Sequence, residues 1–316
     1  MGGVPLALDR PAGAGVLTQW TPQPVAIALA VLLAAGYVRG LRRVGGRWPR
    51  GRIVLFAVGL LLLVWTSCGF LQVYGDDLYW AWTSQTLVLW LFVPILVLGG
   101  QPVQLARASG GSRRLDRVLR SAPVRLLGNP LVGPALVPLL SAVLFFGPLP
   151  RWATEHAATG WLVQLGLLAV GAVMVLPLVG LDDEASSLAV GLSLLIGCFE
   201  LVLDALPGVI LRLRNGLATS YFDVRGVHAW TPDALHDQRV AGAVLWCIAE
   251  VIDLPFLVIV FRRWQRADAR DAARVDAVLE AERTARRALD GDDDRGRDAP
   301  WWLTDPGMRD RMRRPD

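Results

Sequence analysis

The sequence has 316 residues, of which 53% are hydrophobic and only 19% charged, and its mean hydropathy is +0.42. Globular soluble chains carry about 25% charged residues, so this composition excludes an intrinsically disordered chain and indicates a membrane protein. Three Cys and three His exclude a disulfide framework and a conventional zinc module, and a net charge of +4 is too small to predict a nucleic-acid partner.

Seven apolar stretches are long enough to approach the roughly 20 residues that a membrane-spanning helix needs. We therefore predict an all-α, polytopic membrane protein with seven transmembrane helices. Residues 1–23 form an N-terminal segment outside the membrane, 24–263 the membrane domain, and 264–316 a cytoplasmic charged helix and flexible tail. The seven predicted spans are Pro24–Val38, Ile53–Val73, Leu78–Leu98, Leu131–Leu149, Thr159–Val179, Ser187–Leu211 and Val240–Phe261.

The Arg residues alternate between the links, and this sets the predicted orientation. The links after spans one and three, and the segment after span seven, are rich in Arg, whereas Tyr74–Asp77 has none and Pro150–Ala158 has one. Basic residues favour the cytoplasmic side of a membrane. The N-terminus is therefore predicted outside and the C-terminus in the cytoplasm. The N-terminal segment lacks the basic start of a signal peptide, so span one is predicted to be retained.

The C-terminal segment divides into two parts. Trp264–Asp290 is rich in Ala, Arg, Asp and Glu, which predicts that span seven continues as a charged helix. The following GDDDRGR segment predicts a flexible break. Beyond it, Trp301 and Trp302 are either a docking element for the membrane interface or a partner, or part of a loosely ordered tail.

Two predicted spans contain carboxylic acids, which are costly inside a membrane. Glu200 and Asp204 share a face of span six because they are four residues apart, and Glu250 and Asp253 share a face of span seven. If these faces meet, the four groups bind a metal cation or relay protons, or they line a water-filled cavity. The alternative is a structural role as protonated, hydrogen-bonded groups between helices.

Further metal-ligand candidates are scarce. His156 lies at the predicted outer start of span five, and His236 lies in the long outer link before span seven. Spans two, six and seven each hold one cysteine, a residue that in a helix is more often a small packing group than a ligand; these are Cys68, Cys198 and Cys247. The chain has no Lys, phosphate-binding loop or nucleophile elbow, so we predict that it is not an enzyme.

Three passages occur in a characteristic order. The first is SQTLVLWLFVPILVLGGQPVQLAR, with Pro94, Gly99 and Pro102. The second is RLLGNPLVGPALVPLLSAVLFFGPL, followed by Gly171, Pro177, Gly180 and Asp182. The third begins HDQRVAGAVLWCIAEV and contains Asp237, Gln238, Gly242 and Trp246. Together these passages resemble the CtaG family of cytochrome c oxidase assembly factors.

The resemblance implies a multi-pass plasma-membrane protein that helps to build a haem–copper oxidase, in copper handling or as a scaffold. Its partners would be the lipid bilayer and oxidase subunits or other assembly factors. Family members carry His in span three and at the start of span five, where this chain has Trp82, Thr86 and Gln164. Copper(I) prefers soft ligands, which this substitution removes. A small proton or cation transporter or channel that uses the intramembrane carboxylates is the alternative function.

Overall fold

The computed structural model describes residues 18–45, 48–110, 121, 133–179, 187–219, 222, 230–289, 305 and 307, and these residues form helices and connecting turns without a strand. In chain order the helices are α1 (Pro24–Val44), α2 (Arg50–Cys68), α3 (Phe70–Gly75), α4 (Tyr79–Leu87), a π-helical turn (Val88–Phe92), α5 (Val93–Gly99), α6 (Pro102–Ala108), α7 (Gly133–Phe146), α8 (Leu149–Glu155), α9 (Ala157–Val179), α10 (Ser187–Leu213) and α11 (Ala234–Leu289). The predicted all-helical class is confirmed for this part of the chain.

Four helical segments are long and apolar enough to cross a membrane, within the residues that the structure describes. They are Pro24–Val44, Arg50–Gly75, Tyr79–Ala108 and Ala157–Val175. The other three predicted spans coincide with α7, α10 and the first half of α11. Large apolar side chains such as Leu32, Leu61 and Leu162 are about 70% exposed, as expected for side chains that face lipid. The number of crossings stays a prediction.

Two predicted spans are interrupted helices. The second span breaks at Gly69, which is extended between α2 and α3. The third span changes to π geometry over Val88–Phe92, just before α5, whose second residue is Pro94. Proline has no N–H to give to the Trp90 carbonyl four residues earlier, so regular α-helical bonding cannot continue there. Periodicity in the sequence does not reveal such local changes of helix type.

The packed centre lies where α9 crosses the π turn and α5, while α2 packs on α5. A Cβ at Gly171 of α9 would overlap the carbonyl oxygen of Trp90 and lie 2.8 Å from Pro94 Cγ. Small residues let membrane helices approach this closely. The buried side chains around this crossing include Leu63, Tyr79, Trp82, Leu89, Trp90, Leu144, Phe145 and Leu167.

The chain divides into two compact units, residues 1–183 with 193–259, and residues 184–192 with 260–316. The second unit contains the charged end of α11, which runs unbroken to Leu289 and confirms the predicted helical continuation of span seven. Within this unit the Phe261 and Trp264 rings pack at 5.9 Å. Residues 1–17, Trp301 and Trp302 lie outside the described residues, so the proposed docking role of the tail is not tested.

Candidate functional site

Asp237 joins the start of α11 to the start of α4. Its side chain is 3% exposed, and its two carboxylate oxygens accept hydrogen bonds from the backbone N–H groups of Tyr79 (2.7 Å) and Trp80 (3.1 Å). The first N–H groups of a helix have no partner inside that helix, and they favour an anion. A residue that is remote in sequence thus provides the N-terminal cap of the third predicted span.

Two kinds of interaction shift the pKa of the Asp237 carboxyl in opposite directions. Burial raises the pKa of this carboxyl above its usual value, while the hydrogen bonds from Tyr79 and Trp80 and the nearby His236 lower it. The effect of burial is the largest, and the net shift is upward. Asp237 precedes the predicted span seven. Burial of its carboxylate carries a desolvation penalty, and the hydrogen bonds from the helix that it caps oppose this penalty.

Gln238 performs a similar task for the loop after α10. Its side chain is 1% exposed, and its amide oxygen accepts a hydrogen bond from the Ala218 N–H at 2.6 Å. Its amide nitrogen donates to the carbonyl oxygens of Leu211 and Gly216, both at 3.2 Å. One side chain thereby satisfies three backbone groups near the end of a helix, where carbonyls lack intrahelical partners.

The next residues of the same motif form a helix crossing. A Cβ at Gly242 would lie 2.7 Å from the Gly208 carbonyl oxygen, and a Cβ at Gly208 would lie 2.8 Å from the Gly242 carbonyl oxygen. Only two glycines allow the backbones of α10 and α11 to touch in this way. Gln238 and Gly242 therefore hold this end of α10 and α11 together, while Asp237 joins α11 to α4. The remaining motif residue, Trp246, donates a hydrogen bond from its indole to Glu250.

The first family motif shapes the third predicted span. Pro94 is the second residue of α5, after the π turn, and Gly99 is its last residue. Pro102 opens α6 after Gln101, which has a positive φ of 54°. At this end the Tyr37 hydroxyl donates to the Gly100 carbonyl at 2.9 Å. These residues therefore set where α5 and α6 begin and end.

A polar cavity of about 30 Å³ lies between α3, α4 and α9. Three glutamines meet there: Gln72 Oε1 accepts hydrogen bonds from Gln85 Nε2 at 2.8 Å and from Gln164 Nε2 at 2.9 Å. Gln85 Nε2 also donates to the Thr66 carbonyl at 3.1 Å. Asp76 is among the other lining residues. A polar space of this size has room for one to a few water molecules.

The structure brings together the three positions at which family members are expected to carry His. Trp82, Thr86 and Gln164 all line this cavity, although they come from two separate predicted spans. Sequence reasoning missed Gln72 and Gln85, because only ionisable residues were counted within the spans. Amide side chains inside apolar stretches indicate hydrogen bonds between helices, because such groups need hydrogen-bond partners inside a membrane.

The donor set of the cavity does not fit copper(I). Its polar groups are amides, hydroxyls, an indole and the Asp76 carboxylate, and none of them is the imidazole, thiolate or thioether ligand that this soft ion prefers. Across the described residues, no group of three His, Cys, Asp or Glu side chains is arranged to hold a metal ion. Among the cysteines, Cys68 is buried, and both Cys198 and Cys247 are exposed. The cavity instead offers amide, hydroxyl and carboxylate groups that form hydrogen bonds.

The predicted metal ligands are placed as follows. His156 is exposed at the junction of α8 and α9, and His236 is exposed near the start of α11. Asp204 is half-buried, and Glu250 accepts the Trp246 indole N–H at 3.2 Å. The side chains of Glu200 and Asp253 lie outside the described part of the structure. Convergence of the four carboxyl groups therefore stays a prediction.

Comparison with known proteins gives a family match over most of the chain. The model of the cytochrome c oxidase caa3 assembly factor family, Caa3_CtaG, matches residues 31–267. Uncharacterized proteins of Mycobacterium bovis and Mycobacterium tuberculosis are each 28% identical over 290 residues, which cover 84% of this chain and 42% of the relative. An uncharacterized protein of Mycobacterium leprae is 26% identical over 277 residues, covering 82% and 41%. The chain thus spans about two fifths of the length of these relatives. No solved structure matches.

Proposed function

Because the chain belongs to the Caa3_CtaG family of cytochrome c oxidase assembly factors, we propose that it is a non-enzymatic, membrane-embedded assembly factor for a haem–copper cytochrome c oxidase. The observation that carries this proposal is the family match over residues 31–267, which covers the whole region with the three sequence motifs. The location is the plasma membrane, with seven crossings, the N-terminus outside and the C-terminus in the cytoplasm. Arg-rich links on one side support this orientation.

We infer that the protein acts as a scaffold rather than as a carrier of copper. The chemistry of the cavity supports this choice, since Gln72 accepts hydrogen bonds from Gln85 and Gln164 and none of the three offers a soft ligand. An assembly scaffold works by holding partner subunits in place, and that requires rigid helices with defined exposed faces. The hydrogen bonds of the Asp237 and Gln238 side chains supply such rigidity between predicted spans three, six and seven.

Deletion of the gene in its native host tests the assembly function. We expect loss of oxidase activity and of assembled oxidase in isolated membranes, with recovery when the wild-type gene is restored. Normal oxidase activity and copper content in the deletion strain would refute the proposal.

Metal analysis of the purified, copper-loaded protein separates the two mechanisms, a scaffold and a copper carrier. A scaffold binds far less than one copper per chain, whereas stoichiometric copper that is lost in Gln72→Leu would establish copper handling.

A second candidate is a small proton or cation transporter. Gly208 of α10 meets Gly242 of α11, and Gly197 meets Leu257, so the two antiparallel helices bring positions 204 and 250 to about the same level. Positions 200 and 253 fall at a second common level in this register. This arrangement favours a polar path between the helices. Proton flux into liposomes that falls strongly with Asp204→Asn would support transport, and flux equal to that of protein-free liposomes would exclude it.

A further inference from the structure

Four arginines follow one another along α11 beyond the end of predicted span seven. They are Arg262, Arg266, Arg270 and Arg274, which we call the Arg row, and all four are exposed. The side chain of Arg274 is 80% exposed, with the Asp271 carboxylate 3.9 Å away. Successive residues of an α-helix are 100° apart, so each step of four residues turns the row by only about 40°. The Arg row therefore follows one side of the helix over a length of about 18 Å.

The packed side of this part of α11 is a different one. Val260 and Ala267 are 7% and 2% exposed, and Trp264 is half-buried. A Cβ at Gly191 of α10 would lie 3.1 Å from Trp264 Nε1, so the start of α10 packs against this side. These three residues of α11 lie about 100° or more around the helix from the first two residues of the Arg row. Helix packing therefore leaves the Arg row on the solvent side.

The arrangement of like charges in the Arg row is unfavourable by itself. Residues four positions apart are neighbours on a helix surface, and like charges at this spacing destabilise the helix. The positions three and four residues from Arg262 and from Arg266 contain no Asp or Glu, so neither arginine has an acidic neighbour on the same helix. The positive-inside rule accounts for Arg near the end of a span, but it does not require them to share one side. The Arg row therefore favours an anionic partner.

Distance along the helix distinguishes lipid from protein as that partner. The headgroup layer outside the hydrocarbon core is about 5–8 Å thick. Arg262 directly follows predicted span seven, whereas Arg274 is 13 residues beyond Phe261. The latter separation is about 20 Å along α11, which is unbroken here. Anionic headgroups therefore neutralise only the start of the Arg row, and its far end needs a partner that extends from the membrane.

The other side chains on this side of the helix are small. Ala269, Ala273 and Ala277 lie beside the arginines and are exposed. Helices approach each other more closely where the side chains between them are short. Proteins that bind single-stranded nucleic acid use aromatic side chains for stacking, and the side of the Arg row has none between residues 262 and 277. These features favour a protein helix over a nucleic acid.

We propose that the Arg row docks an acidic helical segment of a partner protein on the predicted cytoplasmic side of the membrane. Carboxylates at positions i, i+4, i+8 and i+12 of that segment have the same spacing as the arginines, and each contact is a charge-assisted hydrogen bond. That the partner belongs to the oxidase under assembly rests on the proposed function, whereas the docking itself does not.

Binding of a synthetic peptide tests the docking. The full chain is reconstituted in phosphatidylcholine nanodiscs, and fluorescence anisotropy measures its affinity for a labelled, Ala-rich helical peptide with Glu at positions i, i+4, i+8 and i+12. A second peptide has the same composition, with its four Glu distributed around the helix, and we expect it to bind more weakly. One exposed ion pair changes an affinity by about 1.4–5-fold. Arg266→Gln combined with Arg274→Gln removes two pairs and should therefore lower the affinity for the aligned peptide by about fivefold to tenfold.

The matched control is Arg283→Gln combined with Arg286→Gln, which removes the same charge from exposed positions of the same helix outside the Arg row. These positions are farther from the row than the Debye length at physiological salt, so we expect less than about a twofold change in affinity. Gln and Arg have similar helix propensities. All variants are therefore expected to fold, which far-UV circular dichroism checks.

Each other outcome overturns the proposal. Equal affinities for the two peptides would mean that the spacing of the arginines is not recognised, and an equal loss in the control variant would reduce the effect to net charge. Loss of peptide binding in phosphatidylglycerol nanodiscs would assign the Arg row to lipid, and tighter binding of a single-stranded RNA would assign it to nucleic acid. Binding that requires Asp292→Asn, Asp293→Asn and Asp294→Asn would make the acidic segment of the chain itself the occupant. The assay contains no oxidase, so its result is independent of the deletion experiment.

Discussion

The close crossing of α9 with the third predicted span gives a sharp test of the fold, through Gly171→Ala. A methyl group at this position would overlap the Trp90 carbonyl oxygen and lie only 2.8 Å from Pro94 Cγ, where ordinary contacts begin at 3.4 Å. The carbonyl belongs to the helix backbone, so it cannot rotate away, and the two helices must separate. Overpacking a well-packed core costs about 1–3 kcal/mol, and contact with backbone places this variant near the upper limit, at about 3 kcal/mol.

Gly166→Ala is the matched control, because it makes the same change in the same helix where a Cβ would have no neighbour within 4 Å. The free energy of unfolding of both variants is measured in detergent micelles by titration with a denaturing surfactant, followed by far-UV circular dichroism. We expect no loss for Gly166→Ala. If Gly171→Ala unfolds within about 0.5 kcal/mol of the wild type, which is the usual range for a surface substitution, the close crossing is refuted.

Three other predictions concern the hydrogen bonds of Asp237 and the glutamines of the cavity. Asp237→Ala leaves two helix N–H groups without an acceptor, and hydrogen bonds to charged groups are worth about 1.5–3 kcal/mol each. We therefore expect it to destabilise the protein more than Asp237→Asn, which keeps one acceptor oxygen. Equal losses of stability in the two variants would argue against the cap. Because burial raises the pKa of Asp237, its stabilising contribution is complete below its unfolded pKa and is lost as the pH rises through the raised value. The stability advantage of wild type over Asp237→Asn should therefore shrink from acidic to neutral pH, and an advantage that grows would contradict the shift. Gln72→Leu removes the shared acceptor of two amide groups and should cost about 1–3 kcal/mol, whereas a neutral effect in the same titration would show that the glutamine cluster is not a connected network.

The sequence by itself determined the class of the protein. Long apolar stretches leave no other structure than helices in a membrane, because every backbone polar group must be satisfied within its own segment. The continuation of span seven as a charged helix was also predictable, since alternating Arg and Asp or Glu support a solvated helix, and α11 indeed runs to Leu289. The family followed from three motifs in their order.

Only the tertiary structure decided what the motif residues do. Asp237 and Tyr79 are 158 positions apart, and no local sequence pattern predicts that Asp237 caps the helix that begins at Tyr79. The same is true of Gln72 and Gln164, which meet across 92 positions. Periodicity describes how residues are arranged along one helix, whereas these contacts depend on which helices cross and how closely. That choice is made by packing, at small residues such as Gly171, and it assembles the cavity from separate spans.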